Sequence, residues 1–183
     1  MILDTKNFEI SGVKLFSIKS YKDNRGLFSE VFLSKLDYPE FKIEYIQENE
    51  SISNLGVFRG MHFQKGNHFQ SKLIRVVKGK VIDVICDLRK SSPSFKKIIF
   101  IQLNPNQLLF IPKGLAHGFL SLEEGTILNY KCDNIYNQNS ESGFNLFNSK
   151  LETDFPLLPD DIYMSIKDKS LPDLDNSYIY EEL

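Results

Sequence analysis

Two histidines, His62 and His117, are the side chains of this 183-residue sequence best suited to moving a proton near neutral pH, because imidazole titrates in that range. His62 lies in the segment Phe58–Gln64, whose alternating pattern predicts a strand on which His62 and Gln64 share one face. A histidine between apolar neighbours is more often a satisfied core residue than a catalytic one. His62 by itself therefore does not indicate an enzyme.

The second histidine changes this interpretation. His117 follows a Pro–Gly turn in Pro112–Phe119, and a turn feeding a strand whose first inward residue is histidine is similar to the second motif of the cupin proteins. Cupins usually bind a metal through a His-x-His pair and a carboxylate in their first motif, together with this histidine. Here Gln64 stands at the second histidine position and Lys72 at the carboxylate position. An ammonium repels a cation and glutamine binds one poorly, so we expect no metal and no other cofactor.

The elements that must position these residues read as short strands separated by turn residues. A turn is predicted at Asp23–Gly26, a hairpin around Lys78–Gly79, a short helix at Ser34–Leu36 and one or two helical turns in the tail from Pro156. Besides Phe58–Gln64, the predicted strands are Val13–Ile18, Phe41–Gln47, Leu73–Val77, Val81–Leu88, Lys97–Leu103, Gln107–Ile111, Gly118–Leu122 and Thr126–Lys131. This spacing predicts an all-β fold, a closed or double-sheet antiparallel architecture, in a single domain over residues 1–183.

Composition narrows the function classes. Hydrophobic residues make up 42% and charged residues 25% of the chain, as in ordinary globular proteins. A net charge of −2 provides no basic field for nucleic acid and no polybasic run for a membrane. We see neither a signal-peptide pattern nor an apolar run of membrane-spanning length, and we expect a cytoplasmic location. Cys86 and Cys132 lack metal-ligand spacing, and Cys86 is predicted to be a buried free thiol.

A series of short stretches along the chain identifies a family. They are Asp23–Gly26, Phe28–Glu30, Gln47–Asn49, Arg59–Gln64, Lys72–Leu73, Asp87–Arg89, Pro112–Phe119, Tyr130–Lys131, Tyr136 and Ser165–Asp168. In this order and spacing they resemble the dTDP-4-dehydrorhamnose 3,5-epimerases of the cupin superfamily over nearly the whole length. The resemblance implies a cupin-type antiparallel β-barrel (jelly roll) with little helix. It also implies a homodimer that pairs its barrels through N-terminal strands and brings Arg25 and Glu30 of each chain toward the pocket of the other.

The resemblance also implies roles for the four catalytic candidates. His62 corresponds to the general base that takes the proton next to a ketone, and Asp168 to the carboxylate that orients it. Tyr130 corresponds to the acid that returns a proton on the opposite face. Lys72 would stabilise the negative charge that develops on the substrate oxygen.

Ten further residues correspond to substrate contacts. Arg25 and Arg59 would meet the diphosphate, where a planar guanidinium suits phosphate oxygens. Tyr136 would stack on the base or the sugar. The full binding set is Arg25, Glu30, Gln47, Asn49, Arg59, Gln64, His117, Tyr136, Glu141 and Lys167.

Departures from the family pattern lie on the nucleotide side. The chain contains no tryptophan. It has Asn148–Lys150 and Asp154–Pro156 where the family has Asp-Pro and Trp-Pro, and Asn137–Gly143 is one residue longer than the family pattern. The expected substrate is therefore either dTDP-4-keto-6-deoxyglucose or a GDP-linked 4-keto heptose or hexose for capsule or lipopolysaccharide. Whether C3 and C5 or C3 alone is inverted stays open at this point.

Three other functions fit a cupin barrel. A nucleotide-keto-sugar 3,4-isomerase would resemble the chain less in its Arg-Gly-x-His and Lys-Asp segments. A metal-dependent oxygenase is disfavoured by Gln64 and Lys72. A non-catalytic sugar-binding cupin would be expected to lack His62 or Tyr130, and this sequence has both.

Overall fold

The computed structural model describes residues 2–34, 38–148 and 162–181, which are mostly antiparallel strand. This confirms the all-β prediction. The strands are β1 (Ile2–Asn7), β2 (Lys14–Ile18), β3 (Ser20–Asp23), β4 (Gly26–Ser29), β5 (Gln47–Ser53), β6 (Phe58–Gln64), β7 (Lys72–Lys78), β8 (Val81–Asp87), β9 (Ile98–Leu103), β10 (Gln107–Ile111), β11 (Leu115–Ser121), β12 (Thr126–Cys132) and β13 (Glu141–Gly143).

These strands form two facing sheets and one small hairpin. The six-stranded sheet has the order β1-β2-β10-β7-β12-β5, and the five-stranded sheet has the order β13-β6-β11-β8-β9. Strands β3 and β4 pair with each other around the turn predicted at Asp23–Gly26. The candidate residues of β5, β7 and β12 therefore face those of β6 and β11 across the interior.

The predicted hairpin at Lys78–Gly79 is wrong. Strand β7 lies between β10 and β12 in one sheet, whereas β8 lies between β11 and β9 in the other. The turn carries the chain from sheet to sheet, which Gly79 permits with a φ of +86° at a point where a Cβ would collide with Thr126. Two successive alternating strands look the same in sequence whether they pair or cross between sheets.

The predicted strand Phe41–Gln47 is also wrong. Pro39–Phe41 is a three-ten helix, irregular chain follows, and the strand of this region begins at Gln47. Phe41 is fully buried and meets the ring of Phe16 edge-on, with the ring centroids 5.2 Å apart. The apolar alternation of this segment reflects packing on the outer face of the six-stranded sheet rather than strand pairing.

Little helix is present. Helix α1 (Ile166–Lys169) and a three-ten turn at Leu174–Asn176 lie in the tail, and three-ten turns also occur at Gly66–His68 and Gln138–Ser140. Helix α1 and the turn at Leu174–Asn176 confirm the one or two helical turns predicted in the tail from Pro156. The short helix predicted at Ser34–Leu36 falls mostly outside the described residues. Across residues 2–34, 38–148 and 162–181, no helix is long and apolar enough to cross a membrane.

Hydrophobic clusters lie between the two sheets and on their outer faces. One fills the space between them and includes Ile74 and Leu109 from one sheet and Ile85 from the other. Another covers the outer face of the five-stranded sheet with Leu174 and Tyr180 of the tail. Because both faces of β8 are covered, this strand is a nearly continuous apolar run in which Cys86 is a buried free thiol, as predicted.

Candidate active site

A cavity of about 650 Å³ lies between the two sheets. Its volume suits a small-molecule ligand. Eleven of the fourteen predicted site residues line it: Asn49, Arg59, His62, Gln64, Lys72, His117, Tyr130, Tyr136, Glu141, Lys167 and Asp168. The tertiary structure thus gathers residues from β5, β6, β7, β11 and β12, together with the tail, around one space.

An irregularity in β6 brings Arg59 and His62 to the same cavity. Strict alternation would place these residues on opposite faces of the strand. In the pairing with β11, His62 lies opposite His117 and Arg59 opposite Phe119, so β6 has one residue more than β11 between the two pairs. This bulge at Gly60–Met61 shifts the facing of the strand, and sequence periodicity does not reveal it.

His62 and Asp168 form the first of two histidine–aspartate pairs. His62 Nε2 lies 2.7 Å from Asp168 Oδ1, and the two side chains are 31% and 6% exposed. Burial raises the pKa of Asp168, but the hydrogen bonds from His62, the Gly60 amide and Ser165 outweigh it and hold the pKa below its ordinary value. The ionised carboxylate accepts a hydrogen bond from Nε2–H of His62, which leaves Nδ1 as the ring nitrogen that can take up a proton.

His117 and Asp83 form the second pair. His117 Nε2 lies 2.9 Å from Asp83 Oδ2, and the side chains are 7% and 0% exposed. Burial lowers the pKa of His117 and raises that of Asp83. Sequence analysis missed Asp83; its signal was an acidic residue in the interior of the apolar strand β8, on the face that points inward.

Lys72 and Tyr130 lie on the opposite wall, in the six-stranded sheet, with Lys72 Nζ 5.7 Å from the centroid of the Tyr130 ring. Burial lowers the pKa of Lys72 and raises that of Tyr130, so the phenol keeps its proton at neutral pH. The two histidines occupy β6 and β11 of the five-stranded sheet. The imidazoles of His62 and His117 therefore face the ammonium of Lys72 and the phenol of Tyr130 across the cavity.

Tyr136, Glu141 and Lys167 meet at the mouth. The Tyr136 hydroxyl donates to Glu141 Oε2 at 2.7 Å, and Lys167 Nζ pairs with the same oxygen. Although burial raises the pKa of Glu141, these two bonds lower it overall. The Tyr136 ring is 45% exposed, and so it can stack on a ligand.

Gln47 supports this wall without lining the cavity. Its Oε1 accepts from the Tyr136 amide at 2.7 Å, and its Nε2 donates to Asn49 Oδ1 at 2.9 Å. Gln64, which does line the cavity, holds the same loop, because its Oε1 accepts from the Asn137 amide at 2.9 Å. Both glutamines fix the loop that carries Tyr136.

Arg25 and Glu30 are not brought to the cavity of the single chain. Arg25 is 85% exposed and pairs with Asp23 in its own turn at 2.6 Å. Arg59 does line the cavity, where its Nε donates to Ser53 Oγ at 3.1 Å and a terminal nitrogen to the Ile52 carbonyl at 3.2 Å. These bonds hold its guanidinium against β5.

The described parts of the chain contain no group of three or more His, Cys, Asp or Glu side chains arranged to hold a metal ion. Lys72, which stands at the cupin carboxylate position in the sequence, lies on the wall formed by the six-stranded sheet. The metal-free reaction expected from the sequence stays a prediction.

The two facing antiparallel sheets, with a polar cavity between them and acid–base side chains on both walls, define a cupin-type enzyme. The sequence model of the family described as dTDP-4-dehydrorhamnose 3,5-epimerase matches residues 7–176. The chain belongs to this family, and it is an isomerase of the epimerase class.

Individual relatives agree with this assignment. The dTDP-4-dehydrorhamnose 3,5-epimerase of Methanothermobacter thermautotrophicus is 35% identical over 175 residues, covering 93% of this chain and 94% of that protein. The crystal structure of the Sulfolobus tokodaii enzyme of the same name matches with a TM-score of 0.88 at 36% identity, over 99% of this chain and 100% of that one.

A third relative carries a ligand. The Legionella pneumophila dTDP-6-deoxy-D-glucose-3,5-epimerase, solved in complex with dTDP-4-keto-L-rhamnose, matches with a TM-score of 0.87 at 34% identity. The match covers 94% of this chain and 93% of that one. These matches confirm the cupin-type barrel expected from the sequence.

Proposed function

We propose that this protein inverts C3 and C5 of dTDP-4-keto-6-deoxyglucose, giving the precursor of a deoxysugar for a surface polysaccharide. The observation that carries the proposal is the placement of His62 and Tyr130 on opposite walls of one cavity. Inversion requires removal of a proton from one face of a carbon and delivery to the other. The names of the relatives and the ligand of the Legionella enzyme support the choice of substrate.

His62 begins the reaction as the base. Its Nδ1 takes the proton from the carbon next to the 4-keto group, and the electron pair of the broken C–H bond moves into the carbonyl to form an enolate. Asp168, held ionised at 2.7 Å, stabilises the imidazolium that results. The partial exposure of His62 leaves the ring accessible to both substrate and solvent.

Lys72 stabilises the enolate oxygen. Within the described residues its ammonium has no ion pair and lies over the Tyr130 ring, so its charge is available to the substrate. In a water-poor cavity such a charge has a large effect on a developing oxyanion. His117, held by Asp83, supports the same oxygen or a neighbouring hydroxyl.

Tyr130 completes the inversion by giving its phenolic proton to the opposite face. The enolate collapses back to the ketone, and the carbon has the inverted configuration. The tyrosinate is then reprotonated from solvent, and the His62 imidazolium gives its proton to solvent, which restores both groups for the next round. A second round at the carbon on the other side of the ketone gives the doubly inverted sugar. No oxidant or reductant is needed, because only protons move.

The nucleotide would lie toward the mouth. Arg59 and Asn49 offer donors for phosphate, and the exposed Tyr136 ring, with Glu141 and Lys167, offers a stacking surface and polar groups for the base. The family assignment favours dTDP over GDP. The GDP-linked sugars are tested as alternative substrates in the deuterium experiment.

A homodimer would complete the site. The hairpin β3–β4 exposes Tyr21 at 50%, Leu27 at 57% and Phe28 at 65%, which is an apolar surface suited to a second copy of the chain. Arg25 at its turn and Glu30 just beyond it would then reach the partner's cavity. Light scattering should give a dimer, and Phe28→Glu should give a monomer with lower affinity for substrate; a fully active wild-type monomer would contradict the dimer.

The substrate is tested by deuterium wash-in. Wild-type protein is incubated in D₂O with dTDP- and GDP-linked 4-keto sugars, with and without chelator, and exchange at C3 and C5 is followed by NMR. We expect exchange at both carbons of the dTDP sugar, undiminished by chelator. Exchange confined to a GDP-linked sugar would contradict the proposed substrate. Exchange confined to C3 would contradict inversion at both carbons.

His68 provides the matched control. It lies in the loop after β6 and outside the cavity lining, so His68→Asn should exchange like wild type whereas His62→Asn should not. The single domain over residues 1–183 and the cytoplasmic location stay predictions.

A further inference from the structure

The segment that follows β13 runs beside the strand that carries His62. The Phe144 amide donates to the Met61 carbonyl at 3.2 Å, and the Met61 amide donates to the Phe144 carbonyl at 3.1 Å. Met61 directly precedes His62 in β6. These two hydrogen bonds thus hold the backbone at Phe144 beside the part of β6 that carries His62.

The next residue, Asn145, is 5% exposed and reaches in the other direction, toward the tail. Its amide donates to the Pro172 carbonyl at 2.7 Å, and its Nδ2 donates to the Lys169 carbonyl at 3.2 Å. Its Oδ1 accepts from the Phe147 amide at 3.0 Å. Both ends of the side-chain amide are engaged, which fixes its orientation.

Lys169 ends α1, the helix that carries Asp168. This helix has four residues, too few to be stable alone. Asp168 is its buried residue, whereas Ile166 is 89% exposed, so apolar burial within the helix cannot fix its position. Polar contacts do so: Ser165 Oγ accepts from the Asp168 amide at 3.0 Å at the start, and Asn145 binds the carbonyl at the end.

We infer that Asn145 is a positioning residue that sets the distance between Asp168 and His62. It connects the backbone segment that is hydrogen-bonded to β6 with the last turn of α1. The His62–Asp168 pair lies between these two points of attachment. The inference rests on the proposed function only in taking His62 as the base. Asn145 acts through Asp168 and does not itself touch the substrate.

Asn145→Asp is the sharpest test. It keeps the oxygen that accepts from Phe147 but replaces the donor to Lys169 with a second oxygen, which repels that carbonyl. We expect kcat to fall by about 10-fold, as for other groups that orient a catalytic residue, with KM within about twofold of wild type. Asn148→Asp makes the same change at an exposed position of the same loop, and it should leave both constants unchanged.

Two further readouts separate positioning from general damage. Nitrogen-15 NMR of the histidines in the substrate-free protein should show the Nε2-protonated tautomer of His62 in wild type and a tautomer mixture in Asn145→Asp. In an Asp168→Ala background, Asn145→Asp should cause no further loss of kcat, because both changes act through one contact. If Asn145→Asp does not fold, Asn145→Ser, which is too short to reach Lys169, is judged by the same criteria.

An unchanged tautomer with wild-type kcat, or an equal loss of kcat in the Asp168→Ala background, would overturn the inference. Failure of the proposed function looks different. In that case the wild-type protein would exchange no proton of the dTDP sugar. The tautomer measurement on the free protein would still report whether Asn145 positions Asp168 against His62.

Discussion

The two histidine–aspartate pairs place their imidazoles in one cavity, on adjacent strands of one sheet, yet the surroundings of the pairs differ. His62 is 31% exposed and bonded to Asp168, which a separate tail segment delivers, whereas His117 is 7% exposed and bonded to Asp83 of the adjacent strand β8. Both oxygens of Asp168 accept hydrogen bonds, although the one from Gly60 is long at 3.5 Å. In contrast, Asp83 Oδ1 is buried with no hydrogen-bond partner among the described residues.

The difference shows how environment assigns roles to identical residue types. The pKa of Asp168 is lowered, so an ionised carboxylate stands behind a histidine that solvent can reach. The pKa of Asp83 is raised by burial, and that of His117 is lowered by burial and by the nearby charge of Lys72. The first pair is suited to accept and release a proton, and the second to hold a neutral imidazole in place.

The largest expected effect comes from removing each histidine in turn. His62→Asn should reduce both C–H exchange and epimerisation by roughly 10²–10⁴-fold, the usual loss for a positioned base, because no enolate forms. His117→Asn should reduce them only about 10-fold, as for a group that orients a ligand. Deuterium exchange and product formation measured on the same samples test this, and equal losses in the two variants would remove the distinction between the pairs.

Tyr130→Phe sharpens the comparison by separating enolate formation from inversion. Product should fall by roughly 10²-fold, since the acid is gone, whereas exchange should fall less because the His62 pair still removes and returns a proton on its own face. The ratio of deuterated substrate to product is the measurement. If exchange and product fall together, Tyr130 takes part in forming the enolate.

Lys72→Met should remove the positive charge that acts on the His117–Asp83 pair. We expect a loss of kcat of about 10²-fold, as for one donor to a developing oxyanion, and a gain in stability of about 1 kcal/mol. The gain follows because burial lowers the pKa of Lys72, which means that folding penalises its charged form at neutral pH. Thermal unfolding of the variant and of the matched surface change Lys78→Met checks it; a less stable Lys72→Met would contradict the assignment of its burial cost.

The smallest effect is a pair of opposite pH trends in stability. Because its folded-state pKa is lowered, Asp168 contributes stability above the unfolded-state value near 3.8, and this is lost as pH falls through the folded pKa. Because its folded-state pKa is raised, Asp83 weakens folding progressively as pH rises from 3.8 through the folded pKa. Relative to wild type, Asp168→Asn should therefore become less stable as pH rises from about 3 to 7, and Asp83→Asn should change in the opposite direction. Urea unfolding across this range measures both, and parallel trends would show that the two carboxylates are equivalent.

Much of the strand pattern was predictable because alternation is local. Gln107–Ile111 matches its predicted bounds, and the strands around Leu73, Val81 and Thr126 are correct within a few residues. The pairing of β7 and β8 was not predictable, because alternation does not say which neighbour a strand takes. Phe41–Gln47 was mistaken for a strand because a segment packed on a sheet can alternate like one.

The sequence by itself determined the family, the all-β fold and the residue types of the site. These depend on the order of short motifs and on local alternation, which can be read without knowing which segments pack together. Only the tertiary structure decided the partners. It placed Asp168 on His62 and Asp83 on His117, moved Arg59 to the cavity through the bulge in β6, and connected α1 to the barrel through Asn145. These are hydrogen bonds and facings between residues far apart in the chain, and their energies depend on burial that no local pattern encodes.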